Sequence, residues 1–289
     1  MGTPQRKLHS LESVVAACAL FFVLAISVGF AQAGSGKSVF LRSSSALVQD
    51  VETGDVVIDK NSDAVVPIAS ITKLMTAMVI LDRGLDLQQR IVLSREDIGS
   101  VKVTRSRLRT GTALTREELL MVALMASENR AAAALARSHP GGTKAFVAGM
   151  NQKAVELEMW RTRFVDGTGL SSDNVSTAQD LARLVVAAHK YTLIREFTTA
   201  PSYAVTLSNG RLLHYSNSNG LVKNAGWTIG LSKTGYISEA GRCLVMQSSI
   251  GSMPVVIVLL DSWGKNTRMG DANRIKKWIE SMFSRLPAS

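Results

Sequence analysis

Cysteine is nearly absent: only Cys18 and Cys243 occur in 289 residues. Cys18 falls at the start of an uncharged N-terminal run, where it does not fit a lipid-attachment site. With a single thiol in the remainder, no intramolecular disulfide can form there, and stability has to come from packing. Histidine is as sparse, with four residues. His139, His189 and His214 are scattered, and no Cys, Asp or Glu clusters with them at metal spacing. Neither a zinc centre nor a His-based catalytic triad is supported, and no metal or organic cofactor is expected. There is no internal repeat, long linker or disordered tract. At 46% hydrophobic and 19% charged, the chain is long enough for one full core or two small ones.

What is present begins at the N-terminus. Arg6, Lys7 and His9 precede an uncharged run from Ser13 to Phe30, followed by Ala31-Gln32-Ala33. Basic, apolar and small-residue regions in that order predict a secretory signal over 1–33 and a mature chain over 34–289. An uncleaved anchor over Val14 to Phe30 is the alternative. The formal charge of +10 would draw an exported protein towards anionic wall polymers or lipid headgroups, although it also serves solubility. The segment from Ile91 to Thr110 concentrates Lys102, Arg105, Arg107 and Arg109 without interleaved aromatics. It reads as a solvated loop or a binding edge, and no nucleic-acid partner is expected.

Hydrophobic periodicity gives an ordered set of elements. Ser45–Asp50 and Val56–Asp59 read as a hairpin turning at Thr53-Gly54. A helix follows from Pro67 to Asp82, stopped by Gly84. Thr115-Arg-Glu-Glu118 is a capping box opening an apolar helix. Further helices are expected over Ala131–Ser138, Thr143–Leu157 and Thr177–Tyr191. Past Pro201 the pattern changes to strands at Tyr203–Leu207, Thr228–Gly235, Arg242–Ser249 and Val255–Leu260, closed by a helix over Asp271–Arg285. The fold class is therefore α/β, a mainly antiparallel sheet built from both chain ends and flanked by helices. An all-helical lobe over about 82–200 would be inserted, with a cleft at the seam.

Chemistry concentrates in Ala64–Leu81, an apolar run whose only charge is Lys73. A lone ammonium there must snorkel out or sit buried with a lowered pKa. Ser70 and Lys73, three apart on a helix, share one face, so the amine can reach the hydroxyl. A serine at a helix start also sets a reacting carbonyl oxygen near free backbone N–H groups. Ser-x-x-Lys alone is a weak pattern, and Ser262-Trp-Gly-Lys265 is a second copy. The first copy gains weight from Ser127-Glu-Asn129 and Lys233-Thr-Gly235 downstream, the latter on an expected strand. Ser172-Asp-Asn174 is a literal competitor for the middle motif, but it sits in a turn cluster after Asp166-Gly-Thr-Gly-Leu170, whereas Ser127 lies at a helix end.

Together these three motifs, in this order, resemble the signature of penicillin-binding proteins and serine β-lactamases. The resemblance runs from Ser45 to Trp278 and is closest to low-molecular-mass penicillin-binding proteins, the serine D-alanyl-D-alanine peptidases. Ser232–Val245 looks like the penicillin-binding protein 7 group of endopeptidases. It implies a serine β-lactamase/DD-peptidase-like fold and a periplasmic hydrolase cutting peptidoglycan cross-bridges, acylated by β-lactams at Ser70. Lys73 would be the base, aided by the cation of Lys233, and Ser127 would pass a proton to the leaving nitrogen. Asn129, Lys233, Thr234 and Gly235 would bind substrate, and the backbone N–H groups of Ser70 and Tyr236 would hold the oxyanion. Arg242 could assist with a substrate carboxylate, against the simpler reading of a surface charge. The stretch beyond Gly235 has room for two strands and a helix but not the extra C-terminal β domain of the family's carboxypeptidases. That favours an endopeptidase, with a carboxypeptidase as the alternative. The Glu-x-x-Leu-Asn segment that class A β-lactamases use for deacylation is missing, because Glu156 and Glu158 have the wrong neighbours. A non-catalytic scaffold for other wall enzymes is the reading from a different class.

Overall fold

The computed structural model describes residues 39–98 and 106–284. The expected signal over 1–33, Cys18, Lys102 and Arg105 lie outside the described residues. In chain order the elements are β1 (Ser43–Asp50), β2 (Val56–Lys60), β3 (Val66–Pro67), α1 (Thr72–Asp82), β4 (Arg90–Val92), β5 (Ala113–Thr115), α2 (Arg116–Met125), α3 (Asn129–Arg137), α4 (Gly142–Glu156), β6 (Val175–Ser176), α5 (Ala178–Ala188), α6 (Thr192–Thr199), β7 (Ser202–Thr206), β8 (Leu212–Ser216), β9 (Thr228–Ile237), β10 (Gly241–Ile250), β11 (Met253–Ser262) and α7 (Thr267–Phe283).

The main sheet has the order β2-β1-β11-β10-β9 and is antiparallel throughout. Its first two strands come from the N-terminal part and its last three from the C-terminal part, as the strand pattern predicts. Alternation along the strands sorts their side chains onto two cores. Val245, Val256, Val258 and Leu260 face the helices between α1 and α6. Leu244, Met246, Ile257 and Leu259 face α7 through Ala272, Ile275 and Ile279. The central runs of β10 and β11 are apolar on both faces because both faces are covered. Strand β9 is an edge, and its outer side borders the turn that carries Ser70.

Helix α1 is buried along almost its whole length, from Thr72 to Ile80. That explains its apolar circumference: a helix enclosed on every side has no polar face to display. The Thr115 capping box forms as expected, with the Thr115 side chain accepting from Glu118 N and the Glu118 carboxylate accepting from Thr115 N. Thr177 likewise caps α5, accepting from Asp180 N.

Two local expectations need correction. Pro67 does not open the helix; it ends β3, which pairs with β6, and Ser70 lies in a 3-10 turn over Ala69–Ile71 ahead of α1. The physical reason is Ala69, held at φ +47, a left-handed conformation that an α-helix cannot include. Strand β7 does not join the main sheet but pairs with β8 in a separate hairpin. Helix α6 and strand β8 escape the periodicity reading because both are short.

Candidate functional site

The 3-10 turn at the start of α1, the junction of α2 and α3, the 166–171 turn and edge strand β9 converge on Ser70. Two backbone distortions aim the side chains. Ala69 at φ +47 immediately precedes Ser70, and Ser127, between α2 and α3, sits at φ +61. Non-glycine residues in this region carry strain of about 1–3 kcal/mol each, and the surrounding packing must hold them there.

Lys73 lies one turn beyond Ser70 and is 1% exposed. Its Nζ donates to Ser70 Oγ at 2.8 Å, Asn129 Oδ1 at 2.7 Å and the Thr168 carbonyl at 2.6 Å. Burial lowers its pKa from 10.5 to about 7, against the opposing pull of Asp166 and Glu128. Burial, not a neighbouring cation, is therefore the main cause of the depression, which differs from the role expected of Lys233. An amine with that pKa is partly neutral at neutral pH, which is the state a base requires.

A second cluster lies beside the first. Lys233, 1% exposed, donates to Ser127 Oγ at 2.9 Å and to the Thr234 carbonyl at 2.8 Å. Its pKa is pushed well down, first by burial and then by the charges of Lys73 and Arg268. Thr234 Oγ1 donates to Ser218 Oγ at 2.8 Å. A Cβ on Gly235 would stand 3.1 Å from Ser70 N and 3.0 Å from the Ile68 carbonyl. A side chain here would push the neighbouring backbone away by a few tenths of an ångström, and glycine lets the backbone of β9 sit against the Ser70 N–H. Tyr236 follows at the rim, 56% exposed, with the Arg242 guanidinium 4.5 Å from its ring centroid. The structure thus brings Ser70, Lys73 and Asn129 into one hydrogen-bonded group and Ser127, Lys233 and Thr234 into another. Arg242 is engaged by Tyr236, so it is not a bare surface charge.

The competing motifs resolve on structural grounds. Asn174 is fully buried and braces the chain: its Oδ1 accepts from Val165 N and Asp166 N, and its Nδ2 donates to Thr72 Oγ1 and the Asp166 carbonyl. It is a structural support beneath the site. In the second Ser-x-x-Lys copy, Ser262 is buried against Ser43 Oγ while Lys265 is exposed on a loop, so no serine–amine pair forms.

Four residues of the site went unread in the sequence. Asp166 accepts from Thr168 N, Thr168 Oγ1, Gly169 N and Ser171 N at 2.6–2.9 Å, shaping the turn whose Thr168 carbonyl holds Lys73. The Asp-Gly-Thr-Gly turn cluster was the available signal. A Cβ on Gly169 would fall 2.0 Å from the Ala69 carbonyl. Ser218 had no signal at all. Arg268, at the start of α7, is 8% exposed, and its Nε and Nη1 have no partner among the described residues. Its charge is close enough to add to the depression of Lys233, and its open guanidinium nitrogens are suited to a carboxylate. No group of metal-binding side chains occurs among the described residues.

Comparison with known proteins agrees with this geometry. A family model described as D-alanyl-D-alanine carboxypeptidase matches residues 32–264. The D-alanyl-D-alanine endopeptidase of Pseudomonas aeruginosa is 47% identical over 251 residues, 86% of this chain and 81% of its own length. The D-alanyl-D-alanine endopeptidase of Escherichia coli K12 is 45% identical over 242 residues, 83% and 78% of the two chains. Among solved structures, the Streptomyces K15 DD-transpeptidase superposes with a TM-score of 0.76 at 26% identity, covering 83% of this chain and 97% of its own. The D-alanyl-D-alanine carboxypeptidase of Mycobacterium tuberculosis H37Rv gives a TM-score of 0.76 at 27% identity, covering 86% and 93%. With this match over most of its length and a serine–lysine pair at its centre, the chain belongs to the D-alanyl-D-alanine carboxypeptidase family of serine peptidases.

Proposed function

We propose that the protein is a serine D-alanyl-D-alanine endopeptidase that cuts peptidoglycan cross-bridges through an acyl-enzyme on Ser70 and is acylated by β-lactams at the same oxygen. The observation that carries this reading is the 2.8 Å contact between Ser70 Oγ and a buried Lys73 with a pKa of about 7. Neutral Lys73 takes the Ser70 proton as Oγ attacks the D-Ala carbonyl. The oxyanion forms between the backbone N–H groups of Ser70 and Tyr236. Ser127, whose oxygen accepts from Lys233, donates its own proton to the leaving nitrogen and recovers one from protonated Lys73, which returns that amine to its neutral state. Water then releases the acyl group. The substrate peptide lies along edge strand β9, Asn129 and Thr234 hold it, and its carboxylate faces Lys233 and Arg268.

The relatives named D-alanyl-D-alanine endopeptidase support cross-bridge cleavage over trimming of terminal D-alanine. We further propose that residues 1–33 direct export to the periplasm and are removed, and that 34–289 form the catalytic unit, its helical part inserted between the two contributions to the sheet. The test is to incubate the mature protein, with Ser70→Ala as control, with cross-linked muropeptide dimers and pentapeptide monomers, following both by mass spectrometry. Conversion of dimers to monomers by the wild type only is the expected result. Loss of terminal D-Ala alone would make it a carboxypeptidase, and no change in either substrate would leave the scaffold reading.

A further inference from the structure

Ser218 reaches the site from the segment between β8 and β9, and that segment is pinned on both sides by asparagines. Asn217 Nδ2 donates to the Thr198 and Ala200 carbonyls at 2.9 and 2.8 Å. Asn219 is fully buried; its Nδ2 donates to Ser232 Oγ at 2.7 Å, and its Oδ1 accepts from Leu221 N at 3.0 Å. Between them the Ser218 N–H donates to the Met125 carbonyl at 2.9 Å, near the end of α2 that leads into Ser127. Ser218 is thus tied to the helix end behind one motif and, through Asn219, to β9 just before Lys233. Its backbone is held in place, and its Oγ lies 2.8 Å from Thr234 Oγ1.

Strand register gives the side of the sheet that Thr234 faces. Ser232 pairs with Met246 and Thr234 with Leu244, and both partners belong to the core beneath α7. Paired residues of antiparallel strands point to the same face. Arg268 lies at the start of α7 and has two buried nitrogens without a partner among the described residues. Its charge also reaches Lys233, the neighbour of Thr234. An anionic group on β9 suits these donors.

The protons of the two hydroxyls then have to be accounted for. A hydroxyl has one proton to give, and an ionised carboxylate can only accept. In the structure Thr234 is the donor of the pair, which leaves its oxygen only lone pairs to show a ligand. Ser218 has no acceptor of its own among the described residues. Its proton is therefore available to Thr234. When Ser218 turns that proton to Thr234, Thr234 can turn its own to a carboxylate, and neither hydroxyl is left unpaired. Two torsions rotate, and no proton changes owner.

We propose that Ser218 is a positioning residue of the peptidase, supplying the hydrogen bond that turns the Thr234 hydroxyl outward as a donor to the substrate carboxylate. The choice of a carboxylate rests on the proposed function above as well as on Arg268. Ser218 acts through Thr234: it decides whether that threonine meets the ligand as an acceptor or as a donor.

The experiment compares acylation by benzylpenicillin and by its methyl ester, which differ only in whether the ligand carries the anion. Intact-mass kinetics give a second-order rate for each, and the acid-to-ester ratio is the readout, in wild type, Ser218→Ala and Ser218→Thr. Ser218→Ala is expected to lower the ratio about tenfold, the scale of one hydrogen bond to a charged group. Ser218→Thr keeps a hydroxyl and should keep most of the wild-type ratio. An unchanged ratio in Ser218→Ala overturns the proposal whether both rates hold or both fall, because a merely structural role slows the two ligands alike. So does a wild type with no preference for the acid, or a Ser218→Thr ratio as low as that of Ser218→Ala. An acid preference that depends on Ser218 in a protein that cleaves no muropeptide dimer would overturn the endopeptidase reading and leave this one standing.

Discussion

Lys73 Nζ stands 2.8 Å from Ser70 Oγ, and the same nitrogen has two other acceptors, Asn129 Oδ1 and the Thr168 carbonyl. Three acceptors match the three N–H bonds of an ammonium. Remove one proton and two N–H groups still satisfy Asn129 and Thr168, while the lone pair turns to the Ser70 hydroxyl. The site is wired to lose that one proton. Acylation by a β-lactam should therefore rise with pH through about 7 and level off above it. Labelling rates with fluorescent penicillin from pH 5 to 9 check this; a flat profile across pH 6–8 would exclude the amine as the titrating group.

The same shift has a consequence for stability. The folded pKa of about 7 lies below the unfolded value of 10.5, so between them the unfolded chain binds more protons. Stability attributable to this group then rises as pH increases from about 7 towards 10.5 and is lost as pH falls. Lys73→Met should raise the melting temperature at pH 6 by more than at pH 9. Equal gains at the two pH values would contradict a neutral buried amine.

Asp166 closes the 166–171 turn by accepting three backbone N–H groups and one hydroxyl. Asp166→Ala leaves those donors unpaired and lets the Thr168 carbonyl drift from Lys73. Hydrogen bonds to a charged group contribute about 1.5–3 kcal/mol each, not additively. A loss of roughly 3 kcal/mol in urea unfolding is expected, with acylation falling at least tenfold.

Two glycines should respond differently to the same methyl group. At Gly169 a Cβ meets the Ala69 backbone at 2.0 Å with φ at +78, so Gly169→Ala should cost more than about 3 kcal/mol and yield little folded protein. At Gly235 the contacts are 3.0–3.1 Å, which a small shift relieves. That shift moves Ser70 N, so Gly235→Ala should change stability by less than about 1 kcal/mol while slowing acylation about tenfold or more. Thermal unfolding beside penicillin labelling separates the two effects.

Hydrolysis of the β-lactam acyl-enzyme should be slow. Asp166, the carboxylate nearest in sequence to the Lys73-binding carbonyl, is consumed by its own turn. Glu156 and Glu158 are exposed near the end of α4. Nitrocefin should be consumed near-stoichiometrically, and rapid multiple turnover would contradict this.

The parts legible in the sequence were those with short-range grammar. The capping box at Thr115, the period of β9–β11 and the single charge inside Ala64–Leu81 each follow from neighbours a few residues apart. The backbone distortions were not legible, because they depend on remote packing. Ala69 takes φ +47 where Gly169 lies against its carbonyl, and nothing in the local sequence encodes that. Ser172-Asp-Asn174 misleads for the same reason: Asn174 looks catalytic in one dimension and is a buried brace in three. Arg268 and Ser218 enter the site from elements that follow the sheet's long-range closure, and a lone Arg or Ser carries no pattern.

The most direct measurement is intact-mass and peptide-map analysis after incubation with a β-lactam, comparing wild type, Ser70→Ala and Lys73→Arg. A guanidinium stays protonated and cannot serve as base, and loss of a general base removes about a hundredfold to ten-thousandfold in rate. The account predicts one adduct on Ser70 in the wild type and none in either variant on the same timescale. An adduct at another residue, or Lys73→Arg acylated as fast as the wild type, would contradict it.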